Sequence, residues 1–239
     1  SNRFYATIGF NGAAPYLKDM VDQNTNLWTY RTLTQGAMDG PLPTATSFYR
    51  VKAMDRDVDL SGVYNAGMDW PEIRFAEVLM TYGETANEIG NTEVALQVLY
   101  EIRERAGILP GADNRYGVTA TTKEDIRLAF ENENLIEFAF ENKRLDQLRR
   151  LRKWDVVLNG LQRHGLVISQ KEGTTGPSGM DNVNDYIDDF NFEKVEVGTQ
   201  EFNVRQEYYF YGIPQRHLEQ NPNLEQTMGW PSGTFDPLL

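Results

Sequence analysis

Between Pro71 and Trp154 apolar residues recur at steps of three and four, the period of an α-helix that turns one face to a core. Phe75, Leu79, Tyr82, Ala86 and Ile89 make a first stripe. Asp69-Trp70-Pro71 places a proline at its start, where the missing N–H costs nothing, and Gly90 supplies the stop. Ala95, Val98, Leu99, Ile102 and Ala106 make a second stripe, restarted by Thr92 and Glu93 and closed by Gly107 and Pro110. The two helices form a hairpin joined by Gly90-Asn91. Gly83 and Ala95 put small side chains where a tetratricopeptide unit brings its helices close, and the hairpin has the length of such a repeat. The rest of that consensus is only partly met. One such hairpin cannot bury its own outer faces, so it requires neighbours. A third helix starts at a capping arrangement, Thr122 with Asp125, and is expected to run to about Glu141. Asn142 suits a left-handed cap, and a further helix is expected from Lys143 to Trp154.

Outside this stretch the periodicity fades. Residues 1–70 are broken by Gly9, Gly12, Pro15, Gly36, Gly40, Pro41 and Pro43, and the first 50 carry eight aromatics. Phe4–Ile8 reads as a short strand. Residues 155–239 hold a polar loop over 169–185 and a Tyr208-Tyr209-Phe210-Tyr211 cluster that reads as a packed, extended segment. The expectation is a mainly α fold: tetratricopeptide-like helical hairpins with long irregular loops and a few short strands. It divides into a loop-rich 1–70, a helical 71–154 and a loop-rich 155–239.

Composition narrows the function. The net charge of −12 argues against nucleic acid, which needs clustered Lys and Arg. Residues 155–239 hold 13 acids and 5 bases, which reads as a solvated face. With no cysteine there is no disulfide, thiol nucleophile or thiolate metal site. No apolar run of about 18 residues is present to span a membrane. No signal peptide is recognisable, and Ser1-Asn2-Arg3-Phe4 reads as the middle of a protein.

The candidate chemistry is concentrated in residues 131–150. Glu133, Glu137 and Glu141 recur every helical turn among Leu135, Ile136, Phe138, Ala139 and Phe140, and Lys143, Arg144, Arg149 and Arg150 follow. Paired carboxylates can do acid–base work. The plainer reading is an ion-pair network of Glu133, Glu137 and Glu141 with Arg144, Arg149 and Arg150 that locks two helices together, because buried charges persist when paired. Asp55, Asp57, Asp59 and Ser61 have the alternate spacing of a calcium loop. Leu60 stands where that loop needs glycine and Ala66 where it needs glutamate, so a solvated acidic turn is the simpler reading. Asp181, Asp185, Asp188 and Asp189 read the same way. His164 and His217 have no second ligand nearby, and no P-loop, GxGxxG, GxSxG or HExxH motif occurs. Neither cofactor nor metal is expected. Trp28 and Tyr30, flanked by Asn26 and Arg31, could form a platform on which a sugar ring stacks if the segment is extended. The same rings could instead plug the core beneath loops.

Several runs resemble one family. Ile73–Gly90 is similar to the "RYAEVLLMYAEALNELG" signature of SusD/RagB-type nutrient-binding lipoproteins, and Ile102–Ile108 to its "IRxRAGL". Glu133–Arg150 resembles "ERRIELAFEGKRFWDLRR", with Asn142 in place of glycine and Asn134-Leu135 in place of basic residues. Arg3-Phe4-Tyr5-Ala6-Thr7 is similar to "DPRFYAT". Ile213-Pro214-Gln215 and Asn221–Trp230 resemble the closing "PIPxxEL…NPxLxQNPGY". The resemblance implies the C-terminal portion of a SusD-like domain, with the N-terminal half and its lipidated cysteine absent from these residues. It implies a surface-exposed lipoprotein of the outer membrane in polysaccharide utilization. Such a protein binds a glycan and delivers it to a SusC-like TonB-dependent porin without cleaving it. Membrane contact would come only through the lipid anchor. A helical scaffold for a protein or peptide partner, and a glycan hydrolase or lyase, are the alternatives.

Overall fold

The computed structural model describes residues 2–34, 36–40, 43–67, 70–198 and 200–237. In chain order the elements are α1 (Asn2–Thr7), β1 (Ile8–Gly9), α2 (Lys18–Asp22), β2 (Arg31–Thr32), β3 (Gly36–Ala37), β4 (Tyr49–Arg50), a 3-10 turn (Leu60–Asn65), α3 (Phe75–Glu88), α4 (Thr92–Arg105), α5 (Lys123–Glu137), α6 (Arg144–Arg150), α7 (Trp154–Leu158), β5 (His164–Gln170), a 3-10 turn (Val183–Asp189), β6 (Phe190–Glu196), a 3-10 turn (Gln206–Tyr209) and α8 (Gln215–Gln220). Helix outweighs strand, as the periodicity predicts. Among the described residues no helix is long and apolar enough to cross a membrane. Two compact units result: Ser1–Asn142 with His164–Val197, and Lys143–Arg163 with Gly198–Leu239. The division falls between Asn142 and Lys143, inside the helical 71–154 region and at the break expected there between two helices.

In the first unit, α3, α4 and α5 enclose a core of Met80, Val98, Leu99, Ile102, Ile126 and Phe130. The Asn91 side chain caps α4, and Thr122 with Asp125 forms the expected capping box on α5. Gly83 is a packing requirement: a Cβ there would stand 2.5 Å from Phe130 Cζ and 2.9 Å from Val98 Cβ. A second core joins Trp28, Tyr30, Ile168 and Phe190 beneath a sheet of order β3-β2-β5-β6. There β5 and β6 pair antiparallel, and β2 runs parallel to β5.

Four expectations change in this unit. Residues 2–7 form a helix, and the strand is only Ile8–Gly9. Pro71 precedes α3, which begins at Phe75; Asp69 lies outside the described residues. The inward face of α3 is Ala76, Met80, Gly83, Ala86 and Asn87, while Phe75, Tyr82 and Ile89 are exposed. α5 ends at Glu137, and Phe140 (φ 63°) and Asn142 (φ 58°) turn the chain through two left-handed residues.

In the second unit, α6 stops at Arg150 and α7 begins at Trp154, where one helix was expected. The Tyr208–Tyr211 cluster is a 3-10 turn leading into extended chain, not a wholly extended segment. Tyr208 and Tyr209 pack against Trp154, and Tyr208 also against Trp230.

Candidate functional site

α5 aims Glu133 and Glu137 into the first unit, and the left-handed turn after it brings Glu141 to the same place. All three are buried, Glu133 completely. Burying a carboxylate without a partner is costly, so the surroundings must supply cations. Five arrive from distant parts of the sequence. Arg3 on α1 donates from Nη1 to Glu133 Oε1 at 2.5 Å and to Glu137 Oε2 at 3.0 Å. Arg103 Nε on α4 bonds Glu133 Oε2 at 2.8 Å. Arg74, at the start of α3, makes a two-point contact with Glu141, Nε to Oε2 at 2.6 Å and Nη2 to Oε1 at 2.9 Å. Arg74 also pairs with Glu137 Oε1 at 2.8 Å and lies 4.6 Å over the Phe138 ring. Arg105 pairs with Glu137, and Lys52 Nζ with Glu141 Oε1 at 2.5 Å. Both Lys52 and Arg74 donate to the Glu137 carbonyl as well.

Burial pushes the Glu137 carboxyl up, but hydrogen bonds from Arg74 and the charge of Arg105 outweigh it and hold the group below the usual carboxylate range. Glu141 behaves alike, with Arg74 and Lys52 overcoming the burial. A carboxyl held ionised, its oxygens occupied by cations, has no proton to donate near neutral pH. The arrangement therefore suits joining helices rather than acid–base catalysis. A cavity of 440 Å³ opens beside it, with Arg3, Lys52, Arg74 and Arg105 set against Glu137 and Glu141, and with Trp70, Pro71, Ile136 and Phe140 as apolar wall.

The basic partners differ from those expected. Arg144, Arg149 and Arg150 lie on α6 in the second unit. Arg144 Nη1 donates to Gln147 Oε1 at 2.8 Å. Arg149 donates to the Tyr211 hydroxyl at 2.7 Å and the Tyr209 carbonyl at 3.1 Å, and its guanidinium lies 4.3 Å from the Tyr211 ring centre. Arg152 sits over Tyr209 and Phe210 in the same manner. Proximity in sequence suggested α6; the cations come instead from α1, the segment after β4, the start of α3 and the end of α4. A signal was available, because Arg3, Arg74, Arg103 and Arg105 all lie inside the runs that carry the family resemblance.

The sugar platform also needs correction. Trp28 and Tyr30 are 5% and 3% exposed. Trp28 Nε1 donates to the Gly179 carbonyl at 3.1 Å and the Tyr30 hydroxyl to the Pro177 carbonyl at 2.9 Å. Both rings belong to the second core and offer no face to a ligand. Asn26 Nδ2 bonds the Asp181 carbonyl at 3.0 Å, and Arg31 is an exposed residue of β2. Leu27, Trp28, Thr29 and Tyr30 are all buried, so the segment is enclosed on both sides and alternation gives no free face.

Among the described residues no group of three or more His, Cys, Asp or Glu side chains is placed to hold a metal ion. Asp55 accepts the Asp57 N–H, Asp59 pairs loosely with Lys18, and Asp181 accepts the Ser178 N–H.

The family model described as "SusD family" matches residues 1–230. A SusD-like protein from Bacteroides fragilis NCTC 9343 superposes with a TM-score of 0.63 at 22% identity, covering 95% of this chain and 38% of that one. A SusD superfamily protein from Bacteroides vulgatus ATCC 8482 gives 0.52 at 16% identity, covering 96% and 40%. No curated protein matches the chain.

Proposed function

This chain belongs to the SusD family, and we propose that it forms part of a surface-exposed, lipid-anchored outer-membrane protein that binds a glycan and passes it to a SusC-like TonB-dependent transporter. The single observation that carries this reading is the family match over residues 1–230. The buried charge cluster agrees with a role that involves no bond cleavage, since Glu137 and Glu141 are held ionised and enclosed. Stacking a sugar requires rings that reach solvent. Tyr5 and Tyr211 are such rings, and Trp28 and Tyr30 are not. The acidic balance of the chain favours a neutral glycan over a polyanionic one.

The test is a glycan-binding screen with the complete gene product, run beside an assay for released reducing sugar and a pull-down of the adjacent transporter. Saturable binding without sugar release, together with co-purification of the transporter, is the expected result. Sugar release would replace this reading with a hydrolase or lyase. Absence of any glycan ligand alongside capture of a protein partner would replace it with a scaffold.

A further inference from the structure

The 440 Å³ cavity beside the charge cluster has the size of a small-molecule site, about 300–1,000 Å³. Its apolar wall is open to solvent: Trp70, Ile136 and Phe140 are 43%, 41% and 48% exposed. Phe140 is also held at φ 63°, a left-handed conformation that is costly for a bulky residue. An uncovered ring and a strained backbone both work against stability, and here they coincide at one cavity. Strain of this kind gathers at binding sites. The cations of the lining already face Glu137 and Glu141, so the cavity needs no anion. What they retain is unused N–H groups. Lys52 Nζ uses two of its three donors, on the Glu141 carboxylate and the Glu137 carbonyl. Arg105 gives Nη2 to Glu137, and its side chain stays 57% exposed with the rest of its guanidinium open to a ligand.

We propose that this cavity is a glycan subsite, in which neutral sugar rings lie against Trp70 and Phe140 while their hydroxyl oxygens accept from Lys52 and Arg105. The inference rests on the glycan-binding reading above and gives it a place. A sugar suits this lining because it presents an apolar C–H face and many acceptors without a charge. A wholly apolar ligand would leave the spare donors enclosed and unpaired. Hydroxyls answering charged N–H groups make the stronger class of hydrogen bond.

The test uses the complete gene product and the tightest binder from a panel of neutral hexose and pentose oligosaccharides, titrated by calorimetry. Phe140→Leu and Trp70→Leu keep apolar bulk and remove the flat ring. Each should weaken binding about tenfold or more, with the unfolding midpoint little changed. Leu109→Ala, on an exposed loop away from the cavity, should leave affinity as it was. Trp70→Phe keeps a ring at the cavity. It should bind nearly as well as the unaltered protein and lose the change in tryptophan fluorescence that the glycan produces. This readout decides alone if a leucine variant fails to fold. Unchanged affinity in either leucine variant would overturn the subsite, as would a fluorescence change that is missing from the unaltered protein or kept by Trp70→Phe. In those cases the glycan binds elsewhere and the proposed function stands. An unaltered protein that binds nothing in the panel would overturn both.

Discussion

Arginine does opposite work in the two units. In the first, Arg3, Arg74, Arg103 and Arg105 face carboxylates that are 8% exposed or less. In the second, Arg149, Arg152 and Arg205 lie over aromatic rings of the Tyr208–Tyr211 region and Trp154. An ion taken from water must recover its hydration from its partner, so removing one member of a buried pair strands the other. A ring strands nothing when its cation leaves. The same residue type is thus obligatory in one unit and auxiliary in the other.

The sharpest way to break this contrast is Arg74→Ala. It removes the two-point contact to Glu141 and a partner of Glu137, and should cost about 3–5 kcal/mol in urea unfolding. A loss as small as that of an arginine–ring contact would erase the distinction. Acid comes next. The folded-state pKa values of Glu137 and Glu141 lie below their ordinary 4.5. Their contribution is therefore fully present above that value and is lost as pH falls below it through the folded-state values. Glu141→Gln should flatten the acid limb of a stability–pH profile, and an unchanged slope would remove Glu141 from the account. A smaller effect is expected from Tyr209→Phe, which deletes a hydroxyl bonded to the Asp155 carboxylate; about 1.5–3 kcal/mol is typical for a charged acceptor, less where water reaches it. Smallest is Arg152→Met, at about 0.5–1 kcal/mol for an exposed cation–ring contact with Tyr209 and Phe210.

How far the sequence could be read follows from the same contrast. Acids inside an apolar stripe announced buried charge, and Glu133, Glu137 and Glu141 are buried. Their partners were not legible by spacing, since Arg3 lies 130 residues from Glu133 and Arg74 lies 67 from Glu141. α4 was read correctly because only one of its faces is apolar. α3 was misread because it carries apolar residues on two faces, and period alone cannot choose between Phe75 with Tyr82 and Met80 with Gly83. The Thr122 cap and the Gly83 packing site are local features and were visible as such. Trp28 and Tyr30 failed for the reverse reason: alternation has meaning only where one side of a strand is open, and theirs is closed on both.

The span of the charge cluster has a kinetic consequence. Each pair closes a long loop, and loop closure must be met before the contact rewards it. Helices α3 to α5 can form and collapse on local contacts, but the carboxylates find Arg3 and Lys52 only when segments far apart in sequence meet. The cluster should therefore assemble late. Lys52→Met would then speed unfolding and leave the folding rate nearly unchanged, so that the cluster acts as a latch that sets how long the native state lasts.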